Sequence, residues 1–161
     1  MKSEIVIRPF AEEDRSAIEV IAAEIVEDGT VFPFEDVAGA MRYWEAPKGA
    51  IYVATADDVV VGSYTLQPNQ ADRGAHVANA GYMVSEAYRN QGIGEKLGAH
   101  SIETARQFGY LAMQFNYVVG TNRSAVRLWE RLGFDILAEV PEGFRHPQKG
   151  LVSVFIMHRT L

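Results

Sequence analysis

The chain has 161 residues, 15 Lys+Arg against 21 Asp+Glu, 48% hydrophobic residues and no cysteine. That length suits one domain over 1–161, with enough apolar residue to bury a core unaided, and the composition excludes a disordered chain. The missing cysteine excludes disulfides, thiolate zinc sites and a Cys nucleophile, and a net charge of −6 argues against nucleic acid as a partner.

Met1 to Ile5 lacks the apolar stretch of a signal peptide. No apolar run approaches the roughly 18 residues of a membrane span, so a cytoplasmic protein with no membrane partner is expected. Residues 4–8 read as a strand ended by Pro9. Asp14 opens a helical pattern with Ile18, Ile21, Ala22 and Ile25 on one face, closing near Gly29. The turn Phe32-Pro33-Phe34 leads to a shorter helix at about 35–45 carrying Met41, Tyr43 and Trp44. Ile51–Ala56 and Val59–Leu66 form a hairpin around Asp57-Asp58. A strand follows at about 75–85, a helix at 93–108, a strand at Leu111–Val119 and a helix from the Thr121-Asn122 cap to Leu132. Two strands, about 134–141 and 151–159, flank a loop at Glu142–Pro147. A group of consecutive strands followed by alternation with helices predicts an α/β (α+β) chain with mixed pairing in the sheet.

Chemistry concentrates in Val84-Ser85-Glu86-Ala87-Tyr88-Arg89-Asn90-Gln91-Gly92-Ile93-Gly94-Glu95-Lys96-Leu97. A strand ends, a polar loop turns, and two glycines open an amphipathic helix. Amides at a helix N-terminus are unpaired and carry partial positive charge. Glycines 92 and 94 would clear side chains from a diphosphate's approach to them, with Arg89 and Lys96 adding charge. A bare tight turn is the plainer reading of a lone Gly-x-Gly. A dinucleotide fingerprint fails on context, because Gly98 falls one residue late and no acidic-tipped second strand follows.

Arg89-x-x-Gly92-x-Gly94 after a strand resembles the acetyl-CoA pyrophosphate loop of the GCN5-related N-acetyltransferase (GNAT) superfamily. Asn122 through Phe134, with its Ala-x-x-Leu helix and closing Gly-Phe, resembles that superfamily's second motif. The resemblance covers nearly the whole chain. It implies a mostly antiparallel sheet of six to seven strands flanked by about four helices, with a V-shaped splay between the two central strands. It implies transfer of acetyl from acetyl-CoA to an amine, directly in a ternary complex and with no metal. Met83 and Val84 would offer main chain to pantetheine. Gln91, Gly92, Ile93, Gly94, Glu95 and Lys96 would bind pyrophosphate beside Arg89. Asn122 would touch the pantetheine or phosphate arm, when not simply a helix cap, and Arg127 would lie near the nucleotide, when not simply a solvated charge.

Two departures stand out. The superfamily's usual Glu base on the strand before the loop is absent from Ala75–Val84, and its usual thiolate-protonating Tyr is Trp129 here. Tyr82, Tyr117 and His76 are the nearest substitutes, each also readable as structural. Asn79-Ala80-Gly81, Phe115-Asn116-Tyr117-Val118, Thr121-Asn122 and Leu128-Trp129 are similar to a subgroup typified by the yeast azetidine-2-carboxylate acetyltransferase. There asparagines position a small cyclic imino acid, so Asn116 would hold the acceptor and Asn79 would shape its site. Asn116 is otherwise polar filler, although Asn suits a strand poorly.

Phe34 and Trp44, with Phe32 and Tyr43, could wall an acceptor pocket or be plain core. Arg145 and His146 could close over the acceptor from the final loop or be solvated, and His100 reads as surface. The expected acceptor is a small amine, an amino acid or cyclic imino acid. The alternatives are a protein or peptide N-acetyltransferase and a non-catalytic acetyl-CoA-binding module. The apolar strand Leu151–His158 leaves open a homodimer paired through it.

Overall fold

A computed structural model describes residues 3–161; Met1 and Lys2, the start of the segment searched for a signal peptide, lie outside the described residues. The elements are β1 (Ile5–Pro9), α1 (Arg15–Asp28), α2 (Val37–Trp44), β2 (Ala50–Ala56), β3 (Val59–Pro68), β4 (Val77–Val84), α3 (Ile93–Gln107), β5 (Ala112–Val119), α4 (Arg123–Arg131), β6 (Asp135–His146) and β7 (Gly150–Thr160).

Local rules place most of them. In α1 the residues at helical spacing, Ile18, Ile21, Ala22 and Ile25, are all buried, and Gly29 ends the helix at φ 67. Asp36 caps α2 by accepting the Gly39 amide at 2.6 Å. Asp57 and Asp58 both adopt positive φ, 48 and 65, which lets a two-residue turn follow the twist of the β2–β3 hairpin.

One seven-stranded sheet runs in the order β1-β2-β3-β4-β5-β7-β6, mixed and mostly antiparallel as expected. Its one parallel pairing, β4 with β5, consists of Val77 opposite Ala112 and Ala78 opposite Met113. Successive residues of β4 enter different cores, as strand alternation requires. Met83 joins Ile18, Ile25, Trp44 and Val53 under α1 and α2. Tyr82 and Val84 join Leu97, Ile102, Phe115 and Trp129 under α3 and α4.

The C-terminal region departs from the expectation. Residues 142–146 belong to β6, with Phe144 opposite Val152 and His146 opposite Gly150. Glu142 at φ 53 and a register shift between Val140 and Phe144 produce the loop-like composition without breaking the strand. The β7 strand lies between β5 and β6 and is bonded on both sides, so it offers no edge for pairing with a second copy.

Asp14 sits in a 3-10 turn before α1 and is 4% exposed. The Arg8 guanidinium donates to both its oxygens at 2.7 and 2.8 Å, and the Ala11 amide donates at 2.8 Å. Arg8 holds the Asp14 carboxyl below the usual carboxylate range, against the effect of burial.

Candidate active site

The ladder between β4 and β5 stops at Ala78 and Met113, while β4 continues to Val84 and β5 to Val119. Beyond that point the strands diverge, and a cavity of about 370 Å³ fills the gap. Phe32, Pro33 and Phe34 from the α1–α2 connection and Tyr43 from α2 close one side. Ala125 and Trp129 of α4 close the other, and Asn79–Tyr82 and Phe115–Val119 form the strand walls. Among the described residues its lining holds no Asp, Glu, His, Lys or Arg. The walls are stiff: Trp129 lies 4.6 Å from Tyr82 and 4.7 Å from Phe115, centroid to centroid.

Glycine sets this packing at two points. A Cβ on Gly98 would stand 2.9 Å from Trp129 Cζ3 and 2.7 Å from Leu132 Cδ1, so α3 and α4 approach only with glycine there. A Cβ on Gly81 would stand 3.0 Å from Tyr43 Cε1 and 3.3 Å from Trp44 Cζ3, so glycine lets α2 rest directly on the β4 main chain.

At the open end of the splay the chain leaves β4 and turns into α3. Asn90 at φ 60 and Gly92 at φ 80 take left-handed backbone. The first bond of the new helix runs from the Lys96 amide to the Gly92 carbonyl at 3.1 Å. The amides of Ile93, Gly94 and Glu95 precede it and point outward. Nothing lies within 4 Å of where a Gly92 Cβ would be, and a Gly94 Cβ would make ordinary contact with Leu128 at 3.6 Å. Gly92 is therefore required by its φ, and the side of Gly94 that lacks a Cβ faces α4. These outward amides at a positive helix end, beside Lys96, suit a diphosphate, so the residues fit the coenzyme expected from the motif.

Helix α1 braces this loop. Glu24 accepts the Glu86 amide at 2.8 Å and the Ser85 hydroxyl at 3.3 Å. One turn on, Asp28 accepts from Arg89 at 3.4 Å. Asp28 is held below the usual carboxylate range, chiefly by the Thr30 hydroxyl and with Arg89 assisting. Arg89 thus reaches back to α1, while Lys96 and Arg127 are exposed. The bracing carboxylates Glu24 and Asp28 are missed by a motif search because they lie some 60 residues upstream.

The three tyrosines of the wall differ in what they do with their protons. Ser101 donates its hydroxyl to the Gly98 carbonyl at 2.7 Å, so the 2.7 Å contact between Tyr82 and Ser101 uses the Tyr82 proton. Burial pushes the Tyr82 phenol far up. Tyr82 therefore contributes a ring to the wall and turns its hydroxyl to α3, contrary to the catalytic role expected of it. Tyr117 donates to the Gly143 carbonyl. Tyr43 instead accepts, from Asn79 at 3.5 Å.

Asn116 also lines the cavity. Its amide donates to Asn69 at 2.6 Å and its carbonyl accepts from Gln114 at 3.0 Å. Asn69, in the connection after β3, was not evident from the sequence. Asn122 lines the cavity and caps α4, accepting the Ala125 amide at 3.4 Å. The structure thus gathers Phe34, Asn79, Tyr82, Asn116, Tyr117 and Asn122 around one space. Trp44 does not reach it: at 1% exposure it is core, with its indole donating to Ser63 at 3.0 Å. Met83 turns its side chain into the α1–α2 core, leaving only main chain on the splay. His76 is exposed before β4. His100 is half-buried, bonded to the Tyr64 hydroxyl at 2.9 Å and shifted down by burial, and so departs from the surface position expected.

A second cavity of about 380 Å³ shares Val31 and Asn122 with the first. Thr30, Thr121, Arg123, Ser124 and His146 complete its lining. His146, placed by sequence in a loop, is 8% exposed on β6, and its Nδ1 accepts the Gln148 and Lys149 amides at 3.1 and 3.2 Å. The proton of the neutral ring therefore sits on Nε2. This space presents hydroxyls, an amide, a guanidinium and an imidazole N–H, with no carboxylate among its lining residues.

A splayed sheet with free amides at its open end defines an acyl-coenzyme-A-type site. The chain belongs to the acetyltransferase (GNAT) family, whose sequence model matches residues 15–134. It is 37% identical over 98 residues to N-acetyltransferase aca1 of Schizosaccharomyces pombe, covering 60% of this chain and 47% of that one; the chain spans under half of that relative. It is 30% identical over 137 residues to L-amino acid N-acetyltransferase AaaT of Escherichia coli, covering 83% of this chain and 85% of that protein. Among solved structures, a GCN5-related N-acetyltransferase from Kribbella flavida superposes with TM-score 0.92 at 38% identity, covering 98% of each chain. YncA of Salmonella typhimurium, solved with acetyl-CoA, superposes with TM-score 0.85 at 23% identity, covering 99% of this chain and 95% of that one.

Proposed function

We propose that this chain transfers the acetyl group of acetyl-CoA to the amine of a small amino-acid-like acceptor, directly in a ternary complex. The observation that carries this reading is the cavity of about 370 Å³ in the β4–β5 splay, walled by the strand that leads into the outward amides at Ile93–Glu95. When bound, acetyl-CoA supplies an acetyl thioester. The chain's own residues orient it: amides 93–95 and Lys96 hold the diphosphate, the β5-facing side of the β4 main chain beyond Ala78 accompanies the arm, and Asn122 flanks it from the start of α4. With no cysteine in the chain, no thiol can hold the acetyl group.

The acceptor class follows from two linings. The first cavity offers aromatic rings and the amides of Asn79 and Asn116, and no carboxylate to hold a cation, so the amine enters neutral. The second cavity sets hydroxyls, the Asn122 amide, Arg123 and His146 around one space with no carboxylate among its lining residues, which suits the acceptor's carboxylate. An amino or imino acid carries both groups. The name of the E. coli relative, an L-amino acid N-acetyltransferase, supports this class, and the asparagine pattern supports cyclic imino acids within it.

A panel of free amino acids, cyclic imino acids, simple amines and peptides, each with acetyl-CoA, tests the reading through release of CoA thiol. Release with a free amino or imino acid, weakened at least tenfold by Arg123→Ala, is expected. Turnover with peptides alone contradicts the small acceptor, and coenzyme binding with no turnover on any amine leaves a binding module.

A further inference from the structure

The family's usual tyrosine on α4 is replaced by Trp129, and among the described residues the cavity lining contains no ionisable group other than its three tyrosines. Two of these have spent their protons within the protein: Tyr82 on Ser101 and Tyr117 on the Gly143 carbonyl. Tyr43 differs. Its oxygen accepts from the Asn79 amide at 3.5 Å, and the nearby Gln67 side chain favours its ionised form. Among the described residues the Tyr43 hydroxyl donates no hydrogen bond, so its proton is available to the cavity it lines.

Position agrees with this accounting. Tyr43 Oη would lie 3.5 Å from a Cβ on Gly81. Gly81 is in the stretch of β4 already separated from β5, so the hydroxyl hangs over the splay itself. Phe34 at 5.5 Å and Trp44 at 6.2 Å, centroid to centroid, fix the ring.

We infer that Tyr43 is the proton relay of the acyl-transfer chamber, giving its hydroxyl proton to the departing sulfur and taking one from the attacking nitrogen. This rests on the acetyltransferase reading above. The nitrogen bonds to the acetyl carbon, and the carbon–sulfur bond breaks with its electron pair passing to sulfur. The Tyr43 proton moves to that sulfur. The proton shed by nitrogen returns to the Tyr43 oxygen, so amine and thioester become amide and thiol with Tyr43 unchanged. Burial keeps the Tyr43 phenol above its ordinary range, so it stays protonated at neutral pH. Asn79 and Gln67 stabilise the oxygen while its proton is away. The other titratable groups facing it, Tyr82 and Tyr117, direct their hydroxyls to Ser101 and the Gly143 carbonyl, and Arg42 beside it on α2 is exposed.

The test is a pH titration of the thiol of bound CoA, followed by thiolate ultraviolet absorbance, in the wild-type protein, Tyr43→Phe and Tyr117→Phe. It needs no acceptor. A hydroxyl donor beside the thiolate lowers the midpoint, so Tyr43→Phe should bind CoA with affinity unchanged within about twofold and raise the midpoint by about one unit. Tyr117→Phe should leave the midpoint where it is. With an accepted amine, kcat in Tyr43→Phe should fall about 10²-fold while KM for acetyl-CoA stays within about twofold. Equal midpoints in wild type and Tyr43→Phe overturn the assignment of Tyr43 alone. No CoA binding by the wild-type protein overturns the acetyltransferase reading, and the relay with it.

Discussion

The indole of Trp129 lies 4.6 Å from the ring of Tyr82, and a Cβ on Gly98 would stand 2.9 Å from the far edge of the same indole. One side chain thereby fills the contact between α3 and α4 and forms a wall of the central cavity. Its role is packing, since the indole N–H is a donor only and cannot exchange a proton with a leaving thiolate.

Trp129→Ala should therefore destabilise the fold by about 3–5 kcal/mol, read as a lowered urea midpoint with little change in slope. Trp129→Phe should retain most of that stability. A loss below about 1 kcal/mol in Trp129→Ala would show that the cavity wall is held elsewhere.

The buried Asp14 predicts acid sensitivity. Its folded-state carboxyl is held low by Arg8, so its contribution is present above the unfolded value near pH 4 and is lost as pH falls through the folded value. Asp14→Asn should cost about 1.5–2 kcal/mol at pH 7, the lower part of the range for hydrogen bonds to charged groups, because Arg8 is 39% exposed. Stability of the wild type and of Asp14→Asn should converge below pH 4. An unchanged difference from pH 7 to pH 3 contradicts the pairing.

Glu24 predicts action at a distance on the coenzyme loop. Glu24→Ala removes the acceptor for the Glu86 amide and Ser85 hydroxyl without touching the outward amides of α3. Acetyl-CoA should bind about 3–10-fold more weakly, equivalent to roughly 1 kcal/mol. Undiminished affinity would mean the loop keeps its shape without α1.

Much of this is legible in the amino-acid sequence alone. Helical spacing in Ile18–Ile25, the Asp57-Asp58 turn and the paired glycine and asparagine motifs are local patterns, and local physics decides them. What was illegible depends on neighbours. Tyr43 and Trp44 are adjacent on α2 and point about 100° apart, so only one can face the cavity, and the composition of the pair does not say which. Residues 142–146 resemble a loop because a bulge at Glu142 tolerates unusual chemistry. The place of β7 between β5 and β6 follows from pairing across the sheet, which no single strand encodes. Tyr82 was one of three candidate substitutes for the missing acid and base until Ser101, on α3, proved to accept its hydroxyl's hydrogen bond.

The most direct measurement of the central claim is calorimetric titration of acetyl-CoA into wild type, Gly92→Ala and Gly94→Ala. Gly92 sits at φ 80 with open space around it, whereas Gly94 has room for a methyl against Leu128. A non-glycine residue at positive φ costs about 1–2 kcal/mol. The wild type should bind one acetyl-CoA per chain, Gly92→Ala should bind it at least tenfold more weakly, and Gly94→Ala should stay within about threefold. Absence of saturable binding to the wild type, or equal affinity in Gly92→Ala, would contradict a diphosphate held on the amides that open α3.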